Sequence, residues 1–266
     1  MELQLNYYDQ FQQLSSQQTF SDNCIEEWNL PLIPNARIYG ETTIYMHDIS
    51  KWRIPGNTLI IDTDRPPHTT NQSTRKLIRD FLRSQPCRDI FVRMMTDHLG
   101  ITHSRPIVFG TFRSVPLSGT TRGLSDWVFV HHLKDLYTDP EDDSFTMLNF
   151  DCNGRHLQLR VPFTETSISK KLMKATQISK FTYTLLDSFA TIFGMSVIKP
   201  EDEVTFQIDH RLKNIEIPEM AIEEVLVDLL AHLFTISSEI VLDDPILSTS
   251  AAKKILMDPP SDLWRI

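Results

Sequence analysis

Residues 145–162 read Phe-Thr-Met-Leu-Asn-Phe-Asp-Cys-Asn-Gly-Arg-His-Leu-Gln-Leu-Arg-Val-Pro. Apolar and polar residues alternate on both sides of Asn153-Gly154. Asn-Gly suits a two-residue hairpin turn, because both central positions need a left-handed backbone. Centring the turn there sets Phe150 opposite Leu157 and Leu148 opposite Leu159. On the other face, Asp151 meets His156 and Asn149 meets Gln158. One face is apolar and the other polar, as a half-buried antiparallel hairpin requires. The stretch therefore predicts an antiparallel sheet with this hairpin at its centre.

C-terminal to the hairpin the period changes to helical. Residues 164–193 read as a long helix, with Thr164 as N-cap and Gly194 as its stop. Ile168, Leu172, Ala175, Leu186, Phe189 and Phe193 lie on or near one face, and Lys170, Lys171 and Lys174 form a basic cluster. Residues 218–241 read as a second strong helix. Pro218 suits its first turn, and a wide apolar stripe runs from Ile222 to Phe234, either core or subunit interface. A third short helix is expected over 248–256.

N-terminal to the hairpin, residues 139–143 (Asp-Pro-Glu-Asp-Asp) form a polar turn. Residues 127–134 alternate as a strand, which sends Trp127, Phe129, His131 and Leu133 one way and Val128, Val130, His132 and Lys134 the other. Adjacent histidines on opposite faces do not share a metal. Residues 105–117 read as another strand. Residues 71–85 read as an amphipathic helix, capped by Ser73 and stopped by Pro86, with Leu77, Ile78, Phe81 and Leu82 on one face. Arg75, Arg79 and Arg83 are four apart and stack along the opposite side, with Lys76 beside them. A short helix over 88–99 carries Arg88 and Arg93. Residues 37–49 and 58–63 read as strands, the second ended by Pro66-Pro67. Residues 1–30 form a Gln- and Tyr-rich helix or arm. The fold class is α+β: an antiparallel sheet with a central hairpin, flanked by amphipathic helices, plus a helical C-terminal segment.

Composition bounds the function. Of 266 residues, 41% are hydrophobic and 23% charged, which is ordinary for a soluble globular protein. No run of 18 apolar residues exists, so no membrane span is expected. The first residues lack the basic start and apolar core of a signal peptide. Three widely spaced cysteines fit a reduced, cytoplasmic protein. The net charge of −9 is uneven: residues 70–125 hold nine basic and three acidic side chains, and residues 201–266 hold five and fourteen. A basic segment inside an acidic chain needs an anionic partner or pairs with the acidic tail.

Glycine-rich phosphate loops, zinc-protease motifs and nucleophile elbows are absent, so neither an enzyme nor a cofactor is expected. His98 and His103 lack the usual metal-ligand spacing. Asp151 and His156 read as a cross-strand surface pair rather than a catalytic one. The basic helical stripe is the positive signal, because guanidinium groups match phosphate oxygens.

Two stretches then resemble a known family. The first is Ile101-Thr102-His103-Ser104-Arg105-Pro106-Ile107-Val108. The second runs from Thr121-Arg122 through Trp127 and His131-His132, past Glu141-Asp142-Asp143 and Asn153-Gly154, to the helix at Ser167. Their order and spacing resemble the ComK family of competence transcription factors over residues 35–180. The chain is expected to have three parts: an arm over 1–34, a ComK-like DNA-binding domain over 35–195, and an acidic helical segment over 196–266, without counterpart in the family, for regulation or oligomerisation. The resemblance implies a DNA-binding transcription activator of DNA-uptake genes that binds AT-rich boxes of double-stranded DNA as a homo-oligomer; a protein regulator acting on the acidic segment is a further expectation. The expected DNA contacts, from charge and position, are Arg75, Lys76, Arg79, Arg83, Arg88 and Arg93 on phosphates and Arg105, Arg113 or Arg122 in a narrow minor groove. The chain departs from the family in its length, in its acidic tail, and in the helix that stands where the family has a basic aromatic stretch. Asp126 also replaces a cysteine before the tryptophan. The alternatives are a protein-interaction module on the same scaffold that has lost DNA binding, and a histidine-based enzyme or metal protein.

Overall fold

The structure is a computed structural model and describes residues 30–85, 94–109, 112–118, 125–152, 155–192, 194–197, 227–228 and 231. Among the described residues, nine strands make two antiparallel sheets. They are β1 (Thr43–Asp48), β2 (Thr58–Asp62), β3 (His68–Thr70), β4 (Ile107–Phe109), β5 (Phe112–Pro116), β6 (Trp127–Phe129), β7 (Leu133–Thr138), β8 (Thr146–Cys152) and β9 (Arg155–Val161). The larger sheet has the order β3-β2-β1-β6-β5-β4, and the smaller has β7-β8-β9. The helices that lie with both ends among the described residues are α1 (Thr74–Ser84) and α2 (Glu165–Ile192). The fold class is α+β.

The hairpin has the register its sequence predicts. Phe150 pairs Leu157, Leu148 pairs Leu159, Asn149 pairs Gln158 and Asp151 pairs His156. Leu148, Phe150, Leu157, Leu159 and Val161 all enter the core. The polar face carries a ladder of side chains: Asn149 donates to Asp135, and Gln158 donates to Asn149 Oδ1 at 2.8 Å and to the Tyr137 hydroxyl at 2.6 Å.

The larger sheet is covered on both faces. Tyr45, Leu59, Ile61, Val108, Val115 and Val128 pack against the smaller sheet and α2. Their neighbours Met46, Ile60, Ile107, Trp127 and Phe129 pack against Leu77, Ile78 and Phe81 of α1. Alternation thus sorts the apolar residues of β1, β2, β4, β5 and β6 between two cores, while the edge strand β3 carries only His68, Thr69 and Thr70, all buried.

α1 begins where expected. Ser73 Oγ accepts the Lys76 N–H at 3.3 Å. α2 ends in a Schellman turn at Gly194: its N–H donates to Thr191 O at 3.0 Å, the Met195 N–H donates to Ala190 O at 2.9 Å, and Gly194 has φ +69°. The apolar face of α2 turns differently from the expected one. Ile168, Leu172 and Ala175 are buried, but Ile178, Phe181 and Leu185 continue the face and Leu186 is 45% exposed. An α-helix drifts past a seven-residue repeat, so over 28 residues the buried stripe passes from Leu186 to Leu185.

Four other expectations are corrected. Residues 105–117 hold two strands, β4 and β5, paired Phe109 to Phe112. The strand expected from 37 begins at Thr43, because Tyr39–Thr42 form a turn in which Tyr39 O accepts the Thr42 and Thr43 N–H groups. Pro66-Pro67 does not end the strand run, because β3 follows; the prolines occupy the β2–β3 connection, where no ladder donor is needed. Finally, β6 does not continue through the histidine pair. Val130–His132 form a 3₁₀ turn that carries the chain from the larger sheet to the smaller one. Three residues per turn replace strict alternation, so His131 and His132 do not oppose each other.

The 88–99 helix appears over 94–98, its first part lying outside the described residues. So do residues 1–29, the expected helix over 248–256 and most of 218–241. Within the last, 227–228 and 231 are helical and Ala231 is fully buried.

Candidate nucleic-acid interface

α1 presents its cations to solvent because its apolar residues are taken up by the sheet. Leu77, Ile78 and Phe81 face the core, and Arg75, Lys76, Arg79 and Arg83 are exposed. At about 3.6 residues per turn, Arg75, Arg79 and Arg83 form one stripe nearly opposite that core face. Asp80 interrupts it. Lys76 Nζ lies 3.0 Å from Asp80 Oδ2, and Arg79 Nε 3.8 Å from Asp80 Oδ1. The Lys76 hydrogen bond, helped by the Arg79 and Arg83 charges, holds the Asp80 carboxyl below its ordinary range. Lys76 also donates to Gln72 Oε1 at 2.9 Å.

The remaining expected contacts are scattered. Arg105 is half-buried, with Nη2 2.6 Å from Asp97 Oδ1. Arg113 corrects the expectation. It is 2% exposed in the covered sheet and presents nothing to a DNA groove. Its charge acts instead on His131 and on Tyr183 of α2. Arg88, Arg93 and Arg122 lie outside the described residues. The second cluster is also partly withdrawn: Lys171 Nζ donates to Leu117 O, and burial pushes its pKa down.

Beside α1 lies a groove that the sequence did not announce. Its volume is about 980 Å³. One wall is the turn at Tyr39–Thr42 with Asp64 and Arg65; the other is Phe81, Ser84 and Gln85 of α1's C-terminal end; Phe109, Phe112, His131 and His132 close it. The rings form a connected set. Phe112 lies 4.8 Å from Phe81, 5.7 Å from Phe129 and 6.2 Å from His131, between centroids. The Arg65 guanidinium stacks over Tyr39 at 4.4 Å. These residues come from five separate segments, so no local spacing could have joined them.

Three polar groups anchor the groove's surroundings. His132 Nε2 lies 2.9 Å from Glu41 O. Buried Asp62 accepts Thr43 Oγ1–H at 2.6 Å and pairs with Arg65 Nε at 3.1 Å; burial raises its pKa against both partners. Burial, with the His132 and Arg113 charges, pushes the His131 pKa down to about 4, while the Glu41 backbone acts the other way. The imidazole is therefore neutral at physiological pH.

A second polar centre ties β1 to the start of β6. Asp126 Oδ1 accepts the Asp48 N–H at 2.8 Å, Oδ2 accepts the Tyr45 hydroxyl at 3.3 Å, and Oδ2 lies 2.9 Å from His47 Nδ1. Burial raises the Tyr45 pKa, and the Asp126 charge adds to this. Among the described residues no group of three His, Cys, Asp or Glu side chains could hold a metal ion, and no helix is long and apolar enough to cross a membrane.

Comparison with protein families, with curated proteins and with solved structures finds no match to this chain.

Proposed function

We propose that this chain is a DNA-binding transcription regulator of the ComK type, with no catalytic activity. The observation that supports the reading is α1: one helix buries its apolar face against the sheet and turns Arg75, Lys76, Arg79 and Arg83 to solvent. Such a stripe fits the phosphates of a duplex, which position the protein but carry no base sequence. The AT-rich preference, activation of DNA-uptake genes, homo-oligomeric binding and a cytoplasmic location extend the proposal from the family resemblance alone. Selection of bound duplexes from a random pool tests it: enrichment of spaced A and T runs supports the reading, and an unenriched pool defeats it.

One contact favours a second reading. His98 Nε2 lies 3.1 Å from Asp228 Oδ2, so the acidic C-terminal segment reaches the basic segment. In that reading the scaffold is a protein-interaction module whose basic region is masked in cis. DNA binding that appears only when Asp228 is replaced by Asn would favour it.

A further inference from the structure

The groove and the cationic stripe share one helix and differ in chemistry. A second hollow of about 750 Å³, lined by Arg37, Gln72, Lys76 and Asp80, meets the groove at Ile38, Tyr39, Phe81 and Ser84. Together they run the length of α1. On the helical wheel, Lys76, Leu77, Asp80, Phe81 and Ser84 face this channel, and Lys76 and Arg83 form the margin of the stripe nearest to it. The channel's own charges balance: Arg37, Arg65 and Lys76 stand against Glu41, Asp64 and Asp80. The excess positive charge lies outside, on Arg75, Arg79 and Arg83.

A polyanion attracted to the stripe gains nothing by placing phosphates in a balanced channel. The channel offers flat rings instead. Tyr39 is 46% exposed, and Phe109, Phe112, His131 and His132 provide further surface. Nucleic acid is the polyanion whose uncharged parts are flat rings, and in a duplex those rings are stacked away from such a channel. Stacking platforms beside a cationic track are how single strands are held without sequence readout.

We propose that the channel along α1 binds an unpaired stretch of nucleic acid, with bases stacked on Tyr39 and the Phe112–His131 rings and phosphates on Arg75, Arg79 and Arg83. This deepens the DNA-binding reading and rests on it, naming the strand state and the surface. Tyr39 is the stacking residue at the mouth. Its backbone N–H donates to Thr43 Oγ1 at 3.1 Å, so the turn does not depend on its side chain.

The test uses the full chain and three probes of one length, about 12 nucleotides: a mixed-sequence single strand, an abasic strand with the same phosphates, and the duplex. Fluorescence anisotropy at low salt is expected to show the base-bearing strand binding about tenfold more tightly than the abasic one. Tyr39→Ala removes most of that advantage, and Tyr39→Phe keeps it to within about twofold, because stacking needs the ring and not the hydroxyl. Equal affinity for the abasic and base-bearing strands overturns the inference, as does a Tyr39→Ala variant with unchanged affinity; binding to the duplex alone also overturns it. In each of these cases the DNA-binding reading stands. Failure to bind any of the three removes that reading as well.

Discussion

Asp126 Oδ2 lies 2.9 Å from His47 Nδ1, on a carboxylate that also accepts the Asp48 N–H and the Tyr45 hydroxyl. One side chain thus joins β1 to the start of β6, the pair at the centre of the larger sheet where its two halves meet. Three partners would lose their acceptor if the carboxylate were removed. Asp126→Ala is expected to cost about 2–4 kcal/mol in urea unfolding, and Asp126→Asn less, because the amide oxygen still accepts. Equal, small losses for both would show that the centre carries no stability.

His131 makes stability depend on pH. Its folded pKa of about 4 lies below the ordinary 6.5, so the neutral form is favoured in the folded state. Its contribution is complete above pH 6.5 and is lost as pH falls towards 4. The full shift corresponds to about 3 kcal/mol at most. His131→Phe, which keeps a ring beside Phe112 and Phe129, should lose less stability than the parent between those limits. Parallel pH profiles for the two proteins would contradict this.

The hairpin and α2 predict opposite outcomes for similar substitutions. Phe150 is 1% exposed in the core, and Phe150→Ala is expected to cost about 3–5 kcal/mol. Leu186→Ala lies on the exposed side of α2 and should change stability by less than about 0.5 kcal/mol. Chemical denaturation of both variants checks the pair. A large loss at Leu186 would mean that this position has a covering partner.

The C-terminal segment contributes to the packed molecule. Ala231 is fully buried, and Asp228 sits against His98. Removal of residues 201–266 is therefore expected to lower the melting temperature and the solubility of the remainder. A truncated chain that melts at the parent's temperature would show that the segment is dispensable for folding.

Much of this was legible because it depends on local chemistry. The register of β8 and β9 followed from their alternating residues, and Ser73 capped α1 and Gly194 ended α2, each by a rule acting within a few residues. The 3₁₀ turn at Val130–His132 was not legible. Trp127 to Leu133 alternate well enough for a strand, and only the need to pass between two sheets bends them. Arg113 was misplaced for a related reason. A charged residue in a strand suggests an outward face, but both faces of this sheet are covered. The groove was hidden most completely, since Tyr39, Arg65, Phe81, Phe112 and His131 become neighbours only after five segments fold.

The proposed function requires α1 to bind phosphates through its exposed arginines. The most direct measurement compares the salt dependence of duplex binding for the parent and for a chain carrying Arg75→Glu, Arg79→Glu and Arg83→Glu. All three side chains are exposed, so the fold is retained. The parent's affinity should fall steeply as salt rises, and the variant should bind more weakly to AT-rich and GC-rich duplexes alike, with a log–log salt slope smaller by about two to three. An unchanged slope and affinity would take α1 out of the interface, and a parent that binds no duplex at low salt would contradict the account as a whole.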